Sequence, residues 1–479
     1  MNDDNLIEQL AYNYVLAMSK NEFNPQAIAN TNVLNDLGRE SVINLLKMPI
    51  EEFCNLYRPF KVKDFVYKHD YFTPRNMYLI HPLYYTYYTY IVFKLAYIFS
   101  SKKDNFNFSR DHMKIFYSGL LDLQLSYKDV KENALYQKSY QLFQQEREKY
   151  KGKPALKIDI QDFFNSIKIS NLMIKLKKVF GETEVIKDLN YFFKHCELES
   201  LPQFHYSIAS SILSQFYLNE FDDKLQKLLI REELQLIRYV DDMYIIHLDG
   251  SEDRKKNNNI LNEISYYLWS DSLVLNTSKT RMLSSNEFTS ITDIFMSEYE
   301  DEMSTFSAER IIEDKATEVI ENSLLNDLIE ELCRVEESHG IDLEKYKSLM
   351  SHYLSIKGDH VNKVLNNIIF SSKWKRMNPE DLKRLVDNWK YVLFNPNKFT
   401  VLYIMIYRYL EKGKVLNDSG YRIKRLLNYL FRSEMFTLRD TLIAISYLFQ
   451  SNLKNLELLQ RVEHMNPEYV QYIKTFISK

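Results

Sequence analysis

Three kinds of hydrophobic patterning succeed one another along the chain. Residues 1–60 carry apolar positions at helical spacing in "NLIEQLAYNYVLAMS", "RESVINLLKM" and "IEEFCNLY", with breaks near Pro25, Pro49 and Pro59. Residues 61–300 mix short alternating, strand-like runs with helical stretches, the pattern of an α+β domain. Across residues 301–479 almost every segment repeats its apolar positions at helical period, as in "ATEVIENSLLNDLIEELCRVEE", "PEDLKRLVDNWKYVLF" and "TVLYIMIYRYLEK". Short polar breaks separate these segments, which predicts an all-α region of successive helices resembling a helical-repeat array, although no strict sequence period is present.

Within the middle region, "LQLIRYVDDMYIIHL" (234–248) interrupts two β-prone runs with adjacent carboxylates, Asp241 and Asp242. The shape predicted is a hairpin with the pair at its tip. Asp-Asp also suits ordinary turns, where the side chains bond nearby amides. Two carboxylates held side by side repel each other, however, and a hard divalent cation would relieve that repulsion.

Composition narrows the classes. The chain has 479 residues, 45% hydrophobic and 14% aromatic, enough to fill real cores. Its three cysteines, Cys54, Cys196 and Cys333, are widely spaced and form no CxxC, which argues against a disulfide framework or a zinc site. No apolar run reaches membrane-spanning length and the start "MNDDNLIEQL" is acidic, so no membrane is expected and the location expected is cytoplasmic. The net charge of −3 leaves any nucleic-acid surface local. Residues 301–372 hold 15 Asp and Glu against 7 Lys and Arg, whereas residues 373–479 hold 19 Lys and Arg against 10 Asp and Glu. In that basic part "KWKR" (373–376) and "YRIKRLL" (421–427) interleave cations with aromatics, as nucleic-acid grooves do, against the plainer reading of solvated helix faces. There are 36 tyrosines against 9 glycines, many in "LYYTYYTYIVF" (83–93). Amphipathic packing with surface hydroxyls is the plain reading, and a base-stacking surface or a source of reactive hydroxyls the sharper one.

A third carboxylate stands upstream. In "PALKIDIQDFFNSIKIS" (154–170), Leu156, Ile158 and Ile160 alternate with Lys157 and Asp159, so a short strand presents Asp159 opposite the isoleucines. "LPQFHYSIASSILSQF" (201–216) is an extended entry into a helix, and "LVLNTSKTRML" (273–283) offers Lys279 after an asparagine.

In this order and spacing, "DIQDFF", "LPQF", "YVDD" and "LNTSK" resemble the palm of the reverse transcriptases over about residues 60–290. A long helical tail is more narrowly similar to the bacterial abortive-infection (Abi-like, unknown-group) reverse transcriptases of antiphage defence. The resemblance implies a right-hand polymerase palm and fingers followed by the helical-repeat domain. It implies DNA synthesis with two Mg²⁺ ions held by Asp159, Asp241, Asp242 and the carbonyl of Ile160. Lys279 would approach the pyrophosphate, Phe164 would bar a ribose 2′-hydroxyl, and Gln203 would lie against the nucleotide. Arg75, in "FTPRNMYLIHP" (72–82), is the candidate for triphosphate contact, with Lys63 and Lys68 as competitors. The partners implied are dNTPs, DNA and also RNA, and a homo-oligomer formed through the helical domain.

The sequence departs from the family's Leu-Pro-Gln-Gly at Phe204, whose ring puts ordinary templating in question. Together with the abortive-infection likeness this raises the expectation of DNA begun on a tyrosine, Tyr12, Tyr14 or one of Tyr84–Tyr90, with little conventional templating. An RNA-templated enzyme with an ordinary primer, a non-catalytic nucleic-acid-binding palm and a nucleotide cyclase are the alternatives. The last has no use for the Leu-Pro-Gln segment or a steric gate.

Overall fold

The computed structural model describes residues 6–20, 24–67, 73–100, 106–121, 123, 136–205, 207–296, 301–356, 360–417, 420–432, 437–450 and 453–478. Asn-Pro pairs open the helices Pro25–Leu37, Pro379–Asp387, Pro396–Lys412 and Pro467–Phe476. In each, the asparagine side chain accepts a backbone N–H three residues on, and proline takes the first helical position, where its missing amide loses nothing.

The helices Leu6–Lys20, Pro25–Leu37 and Arg39–Leu46 pack on the long helix Pro82–Ser100. That helix is apolar on all sides and accordingly buried. Tyr84, Tyr85, Tyr87, Tyr88 and Tyr90 lie inside, contrary to the expectation of surface hydroxyls, because each finds an internal partner, while Tyr97 near the helix end is exposed. Tyr84 donates to the carbonyl of Tyr57, Tyr87 to that of Met48, Tyr85 to that of His205, and Tyr90 to Glu8 Oε1. Tyr88 shares a hydrogen bond with Ser210. One continuous core joins these helices to the sheet below, from Leu10 and Phe53 to Ile158 and Ile245.

The central sheet has five strands, β3 (Met113–Phe116), β4 (Ala155–Ile158), β5 (Leu234–Tyr239), β6 (Asp242–His247) and β7 (Arg281–Leu283), in the order β3-β5-β6-β4-β7. Only β3 and β5 run parallel; the other neighbours are antiparallel. A separate hairpin, β1 (Val62–Lys63) with β2 (Tyr78–Leu79), stands above the sheet and touches the Leu-Pro-Gln-Phe loop through a bridge between Tyr78 and Phe204.

From Ala316 onward the helices form a second core, which Ala29, Val62 and Leu79 also enter. The helix Pro467–Phe476 returns to the amino-terminal half, where Asn32 Nδ2 donates to the carbonyl of Phe476 at 2.9 Å. Within the basic part, Trp374 is buried and Lys373 pairs with Glu313, so "KWKR" is half core, leaving Lys375 and Arg376 exposed. In "YRIKRLL" Arg422 pairs with Asp387 while Tyr421, Lys424 and Arg425 face solvent. No helix among the described residues is long and apolar enough to cross a membrane.

Candidate active site

The β5–β6 hairpin closes in two residues, with Tyr239 paired to Asp242. Val240 takes φ 56°, a left-handed conformation that strains a β-branched residue, and its N–H donates to the carbonyl of Phe116 at 3.0 Å. The turn thus holds Asp241 and Asp242 at the sheet end where β3 also finishes.

The neighbouring strand brings the third carboxylate. In the β4–β6 ladder Ile158 faces Met243. Extending that register by one and two residues sets Asp159 across from Asp242 and Ile160 across from Asp241. On the other side Gln161 N–H donates to Val274 O at 2.8 Å, and the trans peptide therefore turns the Ile160 carbonyl away from residues 274–275 and toward the hairpin. The Ile160 carbonyl and the three carboxylates share this end of the sheet, near enough for the charges of Asp242 and Asp159 to act on Asp241.

Asp159 is itself held. Asn276 Nδ2 donates to its Oδ2 at 2.7 Å, Asn276 N–H donates to its carbonyl at 2.8 Å, and Lys279 Nζ lies 3.6 Å from Oδ1. Lys279 is 64% exposed and pairs with Asp159 from the solvent side. Burial, then the charges of Asp242 and Asp159, pushes the Asp241 carboxyl up to about 7, against the pull of Lys279. Burial likewise raises Asp242, and Lys157 is the largest opposing influence.

Phe163 and Phe164 begin a short helix, Phe163–Ser166, after the left-handed Asp162 (φ 45°), and do not continue the strand, which ends at Ile158. The outcome for the two rings is nonetheless a division of labour: Phe163 is buried, and Phe164 packs edge-on against it at 5.4 Å while remaining partly exposed. Asn165 of this helix accepts from Asn76 Nδ2 at 2.9 Å, one residue from Arg75. Gln203 accepts from Tyr78 N–H at 3.2 Å through its carbonyl, leaving its half-buried side chain uncommitted to that contact. Arg75 and Phe164 thus each lie one residue from the Asn76–Asn165 contact, and Gln203 is tied to β2 through its backbone. Lys63 is exposed in β1, and Lys68 lies outside the described residues.

The Phe204 ring is 3% exposed and packs against Tyr85 and Tyr88. Its bulk is directed into the core, so the expected obstruction of a template is absent at this side chain. The tyrosines considered as primers fare differently: Tyr12, Tyr14 and Tyr84, Tyr85, Tyr87, Tyr88 and Tyr90 are all buried. Burial also raises their hydroxyl pKa values, disfavouring an attacking phenolate.

Residues 116–324 match the family model described as reverse transcriptase (RNA-dependent DNA polymerase). Over these residues the chain is similar to the reverse transcriptases. Residues 312–474 match a family described as a domain of unknown function, and no curated protein is similar enough to match the chain. The reverse transcriptase match contains β4, the β5–β6 hairpin and Lys279, and leaves the β1–β2 hairpin outside it. It supports polymerase activity of reverse-transcriptase type, acting on nucleic acid and nucleotides. Reverse transcriptase domains generally use divalent ions, usually Mg²⁺.

Among the described residues no group of three His, Cys, Asp or Glu side chains is drawn close enough to hold a metal ion by itself. The donor chemistry still fits a hard cation, since the atoms offered are all oxygens and the charges of Asp242 and Asp159 press on Asp241. Mg²⁺ is commonly held by one or two carboxylates plus substrate phosphates, for which an open set of this kind is suited. Sequence reasoning missed Asn276 as the group that orients Asp159, and missed Lys157; the Asn two residues before Ser278 was the only available signal.

Proposed function

We propose that the chain is a DNA polymerase that adds deoxynucleotides at Asp159, Asp241 and Asp242, with two Mg²⁺ ions as cofactors. The observation that carries this reading is that Asp159, Asp241 and Asp242 share one end of the sheet, where burial and the charges of Asp242 and Asp159 push the Asp241 carboxyl up to about 7. Divalent cations bound there would activate the attacking 3′-hydroxyl and stabilise the departing pyrophosphate. The chain's own groups orient the reactants. Asn276 fixes the Asp159 carboxylate, and Lys279, 3.6 Å from it, is assigned to give a proton to the pyrophosphate oxygen. The exposed part of the Phe164 ring excludes a 2′-hydroxyl, Gln203 lies against the nucleotide, and Arg75 meets the triphosphate.

The helical region that follows the palm supports the narrower reading of an abortive-infection enzyme in antiphage defence. In that reading DNA begins on a protein hydroxyl, and stacked helices retain the product and build an oligomer. Burial moves the priming role to exposed tyrosines such as Tyr97, Tyr266, Tyr409 and Tyr421. The buried Phe204 ring favours a second reading, an RNA-templated enzyme with an ordinary primer.

Purified protein incubated with labelled dNTPs and Mg²⁺, with and without nucleic acid, tests these readings. Incorporation abolished by Asp241→Asn and by Asp159→Asn is expected, and near-normal incorporation by either variant would overturn the site assignment. Label released by nuclease but retained on protein after denaturation supports protein priming; label running as free DNA without protease supports the ordinary primer.

A further inference from the structure

The β1–β2 hairpin is pinned to the nucleotide side of the site by a pair, Asp64 buried and His205 partly so, that neither sequence motifs nor the family match single out. Asp64, next after β1, is almost fully enclosed, and its Oδ2 lies 2.5 Å from His205 Nε2. A carboxylate can only accept, so the imidazole N–H is the donor. The other carboxylate oxygen accepts from Phe65 N–H at 2.8 Å. On the far side, His205 is two residues beyond Gln203, and its carbonyl accepts from Tyr85 OH at 2.9 Å. The loop is therefore held at both its side chain and its backbone.

Asp64 also faces the helical domain. Burial raises the hydroxyls of Tyr469 and Tyr472, and the Asp64 charge adds to both shifts. Tyr469 packs edge-on against Phe65 at 5.1 Å, Asn466 Nδ2 donates to the Lys63 carbonyl at 3.1 Å, and Tyr472 OH donates to the Ile80 carbonyl at 3.3 Å. Three parts of the chain meet at one carboxylate: hairpin, nucleotide loop and the helix Pro467–Phe476.

We infer that Asp64 and His205 are positioning residues that set Gln203 and Arg75 against an incoming deoxynucleoside triphosphate. Through Tyr469 and Tyr472 the helical domain bears on the same contact. This inference rests on the polymerase reading above. Misplacement of binding groups by about 1 Å is enough to weaken a substrate contact strongly, while Asp159, Asp241 and Asp242, held at the ends of β4 and the β5–β6 hairpin, would stay where they are.

The test is steady-state dNTP incorporation by full-length His205→Ala, His205→Gln and Asp64→Asn, each checked by thermal unfolding. Glutamine carries an amide N–H near the Nε2 position and conserves the donor. The expected result is a KM for dNTP raised about tenfold in His205→Ala with kcat within twofold, and a KM restored by at least half in His205→Gln. An unchanged KM in a folded His205→Ala, or a loss confined to kcat, would overturn the positioning role. Equal impairment of His205→Gln and His205→Ala would do the same. Failure of the unaltered chain to incorporate any dNTP would instead remove the polymerase reading, and the role of the pair with it.

Discussion

Asn276 and Asp159 are joined twice, by a side-chain amide on Oδ2 at 2.7 Å and by a backbone N–H on the Asp159 carbonyl at 2.8 Å. The backbone bond survives any substitution that keeps the turn, whereas the amide alone orients the carboxylate. Loss of such a supporting hydrogen bond at a metal-dependent carboxylate commonly costs about 10–100-fold in metal affinity or activity. Asn276→Ala is expected to fold normally and to need more Mg²⁺ for half-maximal incorporation, by about tenfold or more. A Mg²⁺ titration of dNTP incorporation checks this.

The crowded hairpin should reveal itself in stability before any chemistry is measured. Asp241 titrates near 7 when folded against 3.8 for the ordinary carboxyl, so the folded state holds its proton more tightly than the unfolded chain. That contribution to stability is complete below about 4 and is lost as pH rises through about 7. Asp241→Asn, which mimics the neutral form, is therefore expected to melt several degrees higher than the unaltered chain at pH 8 without metal. The advantage should shrink as pH falls and vanish near pH 4, and saturating Mg²⁺ should reduce it at pH 8. Thermal melts across that range, with and without Mg²⁺, measure it.

Phe164 packs on Phe163 by an edge and is otherwise only partly enclosed, so truncation leaves the core ring in place. Phe164→Ala is expected to reduce the preference for dNTP over rNTP by on the order of tenfold or more, with a small stability loss. Competition between a labelled dNTP and its ribonucleotide decides it.

Restoring the family glycine at 204 should be a loss. The ring fills space between Tyr85 and Tyr88, and its removal opens a cavity that costs about 3–5 kcal/mol, to which glycine adds backbone freedom. Phe204→Gly is expected to lower the melting temperature by many degrees without improving templated synthesis, as thermal unfolding and a primer-extension assay would show.

The hairpin, the Asp159 strand and the run of carboxy-terminal helices were legible because each rests on local periodicity and turn chemistry. The hairpin at Asp241 follows from two β-prone runs around a charged pair, though its two-residue turn is Val240–Asp241 and Asp242 opens β6, paired with Tyr239. What was not legible depends on burial by distant segments. Nothing in "LYYTYYTYIVF" tells that Tyr57, Met48 and Glu8 wait to receive its hydroxyls, and a helix bearing tyrosine on every side reads as partly exposed until those partners are known. Phe204 looked obstructive for the same reason, since the direction of a loop side chain is set by neighbours about 120 positions away in the chain. Asp64 and His205, 141 residues apart, left no periodic trace.

The contact between Asn32 and Phe476 spans 444 positions. Translation emits a chain from its amino terminus, and its early domains begin to fold while later ones are still being made. Here the β1–β2 hairpin gains Tyr469, Tyr472 and Asn466 as its second wall only after residue 476 has emerged. A chain made only as far as residue 465 would hold Asp159, Asp241 and Asp242 and still lack the wall that Asn466, Tyr469 and Tyr472 set behind the hairpin. The hairpin's final setting thus waits on a segment 403 positions downstream of Lys63.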